Sequence, residues 1–213
     1  MPRPPPAPPQ VRPRGPRGVR KKVAGLIAEV AAARPTKRVE VWFEDEARFG
    51  RKGTATTVWA RRGSRPTSVR QTQYDYLWVI AAACPATGAS TGIIMPGLDA
   101  EAIDVFLAEL SRRLAPDVHA ALIGDGAGFH VAKSLEVPEN VSLIRLPPYS
   151  PELNPIENLW HHFRSHFWSN RLHPTWEDLM GAAVAVMDVA LADPELIKSV
   201  CAAPYLTRER RRN

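Results

Sequence analysis

The stretch from residue 146 to 170 constrains the fold of this chain most, because a rigid turn passes directly into helical spacing. Four prolines fix φ in the turn and disfavour a helix in the residues before them, at Pro147, Pro148, Pro151 and Pro155. From there apolar side chains recur with a helical period, at Ile156, Leu159, Trp160, Phe163 and Phe167. The sequence predicts a helix that begins near Pro155 and packs one face against a core.

Glu157 lies in the first turn of this predicted helix. A carboxylate held there by a stiff entry has little freedom to move, which suits a group that binds an ion at a set position. The same residue also fits a capping box, in which Asn154 and Glu157 satisfy the free backbone donors around Pro155. From this stretch alone, both interpretations stay open.

Length and proline content predict one folded domain behind a proline-rich arm. A chain of 213 residues is long enough for a single buried core. Eight of its 21 prolines lie in the first eighteen residues, and such a run buries nothing. We therefore expect a disordered basic arm over 1–22, a linker helix over 23–37, a folded domain over 38–204 and a basic tail over 205–213.

The positive charge is concentrated at the two ends, and the body between them is slightly acidic. Within that body, the segment 48–70 contains no acid and carries a run of cations, at Arg48, Arg51, Lys52, Arg61, Arg62, Arg65 and Arg70. Such a window fits a groove for a polyanion beside an acidic site. A solvated surface hairpin with scattered charge explains the same pattern equally well.

The two cysteines and the apolar runs predict a protein of the cytoplasm. Cys84 and Cys201 are far apart and have no metal-ligand spacing, which is typical of reduced core thiols. The longest uncharged apolar run, residues 77–84, is far too short to cross a bilayer. We expect no membrane partner.

The periodicity along the chain predicts an α/β domain. Alternating segments predict strands over 38–45, 54–61, 76–84 and 90–95, arranged as an antiparallel meander. A helical stripe follows over 99–114 with Asp99 as N-cap, then two apolar strands over 119–125 and 141–146. Two further helices are expected over 176–190 and 194–201. This order is typical of a mixed sheet covered by helices.

Three acids stand at chemically useful places in that pattern. Asp45 and Asp125 each end a predicted strand, and Glu157 begins the helix after the last one. Carboxylates that converge at strand ends repel one another unless cations lie between them, which predicts a site for Mg²⁺ or Mn²⁺. Two such ions are the means by which many proteins exchange one phosphate oxygen for another, so we expect chemistry on a nucleic-acid backbone.

Four segments together resemble the catalytic domain of DDE-type transposases of the Tc/mariner superfamily, in its bacterial IS six-thirty branch. They are FEDEARFG at 43–50, WARRGSRP at 59–66, IGDGAGFH at 123–130 and LPPYSPELNPIENLW at 146–160. The resemblance covers about residues 38–172 and implies a ribonuclease H-like fold, with a mixed five-stranded sheet and helices on both faces. It also implies that Asp45, Asp125 and Glu157 are the catalytic, metal-binding triad for two Mg²⁺ or Mn²⁺ ions.

The resemblance assigns further roles to particular residues. It selects Asp45 over its neighbours Glu44 and Glu46, and it gives His130 and Asn154 supporting roles, although a purely structural histidine fits equally well. DNA contacts are expected from six cations of the basic window, at Arg48, Arg51, Lys52, Arg61, Arg62 and Arg65. Trp59 fits either a DNA contact or a core strand position. Family members do not use zinc, which argues against a zinc site formed by Glu157 and His161.

What the resemblance implies about activity is cleavage at the ends of a DNA element and joining of the freed 3′-hydroxyl to a target TA step. Family members carry helix-turn-helix domains before the catalytic domain, and residues 1–37 have no room for one. We therefore expect a truncated or frameshifted gene product, acting with DNA in the nucleoid as a homodimer and with an upstream helix-turn-helix product. Two alternatives stay open: an inactive DNA-binding remnant that competes with intact transposase, and a ribonuclease for RNA–DNA hybrids.

Overall fold

The computed structural model describes residues 16–52, 59–65, 67, 71–125, 135–146 and 153–203. Its centre is one sheet of five strands in the order β3-β2-β1-β4-β5. The strands are β1 (Arg38–Gly50), β2 (Tyr76–Ala83), β3 (Ser90–Met95), β4 (Val118–Gly124) and β5 (Val141–Arg145). The first three form an antiparallel meander, whereas β4 and β5 run parallel to β1. The mixed five-stranded sheet is confirmed, and three of the four strands predicted for the meander, all except 54–61, form it.

In the described part of the chain, five helices cover the two faces of this sheet. They are α1 (Pro16–Ala33), α2 (Ala100–Arg113), α3 (Ile156–Phe163), α4 (Trp176–Ala190) and α5 (Pro194–Val200). Helix α2 packs on one face, where Phe106 and Leu110 join a buried cluster with Trp42 of β1. The other helices contribute to a separate cluster on the opposite face, around Phe43 and Phe49 of β1. Helices therefore lie on both faces, as expected.

Strand β1 extends past the point where the sequence predicted its end. Its parallel pairing with β4 stops at Phe43 opposite Ile123, but its antiparallel pairing with β2 continues from Asp45 opposite Ala81 to Gly50. The prediction of a strand that ends at Asp45 is therefore wrong. Asp45 instead lies inside β1, just beyond the part that β4 covers.

Helix α1 begins earlier than the sequence predicted and has a larger role. It starts at Pro16 rather than Val23, because proline is tolerated in the first turn of a helix, where its missing N–H is not needed. Val19 and Val23, one turn apart, are buried against the sheet, and the helix packs on β1 and β5. The disordered arm expected over 1–22 is thus helical from Pro16, and the expected linker helix forms part of the core.

The remaining helices follow the predicted pattern closely. Helix α2 has its N-cap at Asp99, whose Oδ1 accepts from the amide of Ala102 at 2.9 Å. Helix α3 continues into one π-helical turn, Arg164–Trp168. Most of the strand predicted over 54–61 lies outside the described residues, and residues 59–61 are not in a strand.

The thiols and the helix lengths complete the comparison with the sequence. Cys84 and Cys201 are both free and buried, as predicted, and burial raises the pKa of Cys201 to about 12. Within the part of the chain that the structure describes, none of the helices combines the length and the apolar character that crossing a membrane requires.

Candidate active site

Asp45, the first acid of the predicted triad, has a hydrogen-bond partner and a charged neighbour on α3. It lies on the face of β1 that α3 covers, between Phe43 and Ala47, and is partly buried. The indole Nε1 of Trp160 donates a hydrogen bond to its Oδ2 at 2.8 Å. The pKa of Asp45 is raised to about 7, first by burial and then by the negative charge of Glu157, whereas the hydrogen bond from Trp160 acts to lower it. Asp45 and Glu157 are therefore close enough to repel each other.

Glu157 is exposed in the first turn of α3, and that turn is fastened to β1 through Asn154. The Nδ2 of Asn154 donates to the carbonyl of Glu44 at 2.8 Å, and its Oδ1 accepts from the amide of Ile156 at 3.2 Å. The N-cap is Pro155, and no side chain caps the helix. The capping box is therefore absent, and Asn154 instead ties the entry of α3 to the residue next to Asp45.

Asp125 follows β4 directly and is exposed. It stands two residues past Ile123, just as Asp45 stands two residues past Phe43, the partner of Ile123 across the parallel pair. Its charge acts on the neighbouring buried acid: the pKa of Glu44 is raised well above its usual value, first by burial, then by Glu46, and also by Asp45 and Asp125. The end of β4 is therefore close to the acidic segment of β1.

Asp45 and Glu157 lie close together and Asp125 lies near the neighbouring Glu44, but the described residues do not form a finished metal site. Among the residues that the structure describes, no three His, Cys, Asp or Glu side chains form a group that could hold a metal ion. The pair of Asp45 and Glu157 nevertheless fits a hard divalent cation, because its ligand atoms are all carboxylate oxygens. A cation between them would also relieve the repulsion that raises the pKa of Asp45.

Arg51 is engaged inside the protein rather than offered to DNA. Its Nε donates to the carbonyl of His173 at 2.8 Å, its Nη1 pairs with Asp75 at 2.7 Å, and its Nη2 hydrogen-bonds the carbonyl of Pro174. Gln71 pairs with the same histidine, since its Nε2 donates to the carbonyl and its Oε1 accepts from the amide of His173. These contacts indicate a structural role for Arg51.

The other predicted DNA-contact residues are exposed, and two of them lie on tyrosine rings. The guanidinium of Arg48 lies 4.9 Å from the ring centre of Tyr76, and the ammonium of Lys52 lies 4.8 Å from that of Tyr74. Arg61, Arg62 and Arg65 are exposed in the described segment 59–65. Trp59 is fully exposed rather than part of the core.

Two features of the site escaped the sequence interpretation. The sequence pattern placed Trp160 only in an apolar stripe. A buried indole N–H needs a hydrogen-bond acceptor, and Asp45 supplies it. Tyr74 and Tyr76 were not considered as partners of the basic residues, although they follow the basic window directly. His130 lies outside the described residues.

Comparison with known proteins shows a family and a relative that this chain resembles in sequence. The family described as DDE superfamily endonuclease matches residues 40–180. An uncharacterized protein of Sinorhizobium fredii (strain NBRC 101917 / NGR234), y4pE/y4sA, is 38% identical over 125 residues, which cover 59% of this chain and 93% of the relative.

Solved structures of Mos1 transposase share the fold. In the Mos1 mariner paired end complex with Mn, the TM-score is 0.62 at 13% identity, covering 92% of this chain and 62% of that chain. In the paired-end complex with the left transposon end, the TM-score is 0.59 at 15% identity, covering 93% and 62%. This chain thus spans less than two thirds of those longer chains. For the Mos1 catalytic domain alone, the TM-score is 0.53 at 12% identity, covering 92% and 93%. The ribonuclease H-like fold is confirmed.

Proposed function

This chain belongs to the DDE superfamily endonucleases, and we propose that it is a transposase catalytic domain that cleaves and joins DNA strands with divalent metal ions. The observation that carries the proposal is the close pair of Asp45 and Glu157, in which burial and mutual charge raise the pKa of Asp45 to about 7. Raised pKa values caused by a specific charge partner are typical of functional sites. Asp125, at the adjoining strand end, is the third member of the proposed triad.

The proposed division of labour follows from where the side chains lie. Bound Mg²⁺ or Mn²⁺ ions, two in number, would supply an activated nucleophile and stabilise the leaving oxygen. Asp45 would hold its position through Trp160 and β1, while Glu157, exposed at the start of α3, and Asp125, exposed after β4, face solvent from which DNA can approach. Asn154 would keep Glu157 in register with β1.

DNA is the partner that the charged surface favours. Arg48 and Lys52 present cations backed by tyrosine rings, which suits contacts with a phosphate backbone. The Mos1 complexes include one with a left transposon end and one strand transfer complex, and by analogy we infer element ends and a target TA step as substrates of this chain. We likewise propose a homodimer in the active assembly, joined by a helix-turn-helix product.

Strand cleavage with Mn²⁺ tests the proposal. We expect the purified chain to cut a nicked or hairpin DNA substrate in Mn²⁺, and we expect Asp125→Asn and Glu157→Gln to abolish cutting while salt-sensitive DNA binding persists. Asp188→Asn is the matched control, because Asp188 is an exposed acid on α4, away from the strand ends. Cutting by Asp125→Asn at the rate of the unaltered chain would contradict the proposal.

The second candidate function is a DNA-binding remnant without catalysis. It needs the exposed cations of the basic window, such as Arg48 and Lys52, and no metal ion. This candidate predicts salt-dependent DNA binding with no cutting in Mn²⁺ by any form of the chain. An RNA–DNA hybrid included as a further substrate separates the ribonuclease alternative, which requires preferential loss of the RNA strand.

A further inference from the structure

Trp160 is a buried residue whose single polar atom is directed at an acid of the proposed site. Its indole Nε1 donates to Asp45 Oδ2 at 2.8 Å, across 115 positions of sequence. It stands one helical turn after Glu157 on α3, so the same short helix carries one proposed metal ligand and the group that touches another. The hydrogen bond therefore couples the position of Asp45 to that of Glu157.

The indole ring of Trp160 contacts two other aromatic rings, one from β1 and one from α3. Phe49, four residues after Asp45 on the same face of β1, meets it edge to face with ring centres 6.0 Å apart. Phe163, on the next turn of α3, meets it at 5.7 Å and 74°. Because strand and helix both contact the ring, its packing fixes the position of the N–H that donates to Asp45.

A neighbouring tryptophan shows what a purely structural arrangement looks like in this cluster. Trp168 also packs on Phe49, at 4.9 Å, and is also buried, but its Nε1 donates to the backbone carbonyl of Gly50 at 3.1 Å. A backbone carbonyl satisfies a buried indole without involving any acid. Trp160 instead uses a carboxylate, and a hydrogen bond to a carboxylate ligand is the usual way in which the surroundings of a metal site orient it.

We propose that Trp160 is a positioning residue that holds the Asp45 carboxylate in the orientation needed to bind a divalent metal ion. This inference rests on the proposed function, since it requires that Asp45 be a metal ligand. Partners of this kind change metal affinity by about 10- to 100-fold when they are removed. Loss of the Trp160 N–H should therefore weaken metal binding even in the absence of DNA.

The test compares Trp160→Phe with Trp168→Phe by titrating Mn²⁺ into the full chain without DNA, using calorimetry or the electron paramagnetic resonance of free Mn²⁺. Each variant keeps an aromatic ring in the cluster and removes one indole N–H. We expect Trp160→Phe to weaken Mn²⁺ binding about tenfold or more and Trp168→Phe to change it less than about twofold. Urea unfolding of both variants measures the structural cost separately.

The outcomes distinguish this inference from the proposed function. Equal Mn²⁺ affinity in Trp160→Phe and the unaltered chain overturns the positioning role, and so does an equal loss in both variants. Absence of Mn²⁺ binding by the unaltered chain overturns the proposed function and this inference with it. Should Trp160→Phe not fold, the indole N–H resonance of Trp160 in the unaltered chain serves instead: Mg²⁺ must shift it more than that of Trp168, and an unchanged resonance overturns the inference.

Discussion

Replacing Asp45 with asparagine should stabilise the metal-free protein at alkaline pH. Burial and the nearby charge of Glu157 raise the pKa of Asp45 from 3.8 to about 7, so above neutral pH the folded chain carries a charge that its surroundings disfavour. Asparagine removes that charge and keeps an oxygen that can accept the hydrogen bond from Trp160. The substitution therefore isolates the cost of the charge.

The size of the effect follows from the two pKa values. Because the folded state binds this proton more tightly than the unfolded state, the contribution of Asp45 to stability is fully present below pH 3.8 and is lost as pH rises through about 7. The difference of about 3 pKa units corresponds to about 4 kcal/mol at about 1.4 kcal/mol per unit. We expect Asp45→Asn to gain up to about 4 kcal/mol at pH 8 and about 1.5 kcal/mol at pH 5.

Urea unfolding in EDTA at pH 5 and pH 8 measures this difference. The variant should show a higher midpoint at pH 8 with an unchanged slope, since the surface exposed on unfolding stays the same. Asp188→Asn, which removes an exposed acid of α4, should leave the midpoint within about 0.5 kcal/mol of the unaltered chain at both pH values.

Two results would refute this reasoning. One is a variant no more stable than the unaltered chain at pH 8, and the other is a gain of the same size at pH 5 and pH 8. Addition of Mg²⁺ at pH 8 gives an independent check: it should stabilise the unaltered chain by binding the folded state and leave Asp45→Asn unchanged.

Three further predictions concern the surroundings of the site. Arg51→Ala should lower the free energy of unfolding by about 1–3 kcal/mol, because it removes the hydrogen bonds of Arg51 to the carbonyls of His173 and Pro174 and its ion pair with Asp75. Arg48→Ala should cost less than about 0.5 kcal/mol and should instead reduce the salt dependence of DNA binding, and equal unfolding free energies of the two variants would contradict this. Gly88→Ala should destabilise the folded chain by at least about 1 kcal/mol, because the φ of Gly88 is 79° and a Cβ there would collide with Pro194 at the start of α5. Gly181→Ala, on the open side of α4, should instead stabilise it by about 0.5–1 kcal/mol. Thermal melts should therefore shift in opposite directions for the two variants. Burial lowers the pKa of His173 from its usual 6.5, so protonation of His173 favours the unfolded chain. Urea titrations at pH 7 and pH 5 should therefore show a smaller loss of stability on acidification for His173→Phe than for the unaltered chain. Equal losses in the two proteins would contradict this prediction.

Hydrophobic periodicity predicted the elements that pack on one continuous face. Strand β3 and helix α4 have the predicted bounds, and α3 starts within one residue of the predicted position at Pro155. In each case the burial pattern is set by residues close in sequence. Local patterns of this kind are sufficient because the side chains that face the core are the ones that define the period.

The length of β1 could not be predicted in the same way. After Phe43 the strand pairs with β2 alone, and its charged residues Glu46 and Arg48 alternate with Ala47 and Phe49. A sequence that mixes acids and bases in this way is typical of a turn. It forms a strand here because β1 pairs with β2 alone beyond Phe43. The start of α1 was hidden for a similar reason, since a proline-rich sequence masked the buried pair of valines.

The site was predicted in part. Asp45 lies inside β1 rather than at its end, yet it is close to Glu157, and Asp125 directly follows the adjoining strand β4. The contacts that support these acids join distant parts of the chain, as Trp160 does with Asp45 and Arg51 does with His173, and no local pattern in the sequence pairs them. Sequence therefore indicated the ligands more readily than the groups that hold them.

The joint attachment of Arg51 and Gln71 to His173 has a consequence for how this domain can diverge. Strand β1 ends at Gly50 and β2 begins at Tyr76. Arg51 and Gln71 lie between these strands, and both side chains donate a hydrogen bond to the backbone carbonyl of His173. A change in the sequence between Arg51 and Gln71 therefore acts on these two hydrogen bonds before it can displace β1 or β2. We therefore expect that the sequence between Arg51 and Gln71 can be exchanged or extended without displacing the acids of β1.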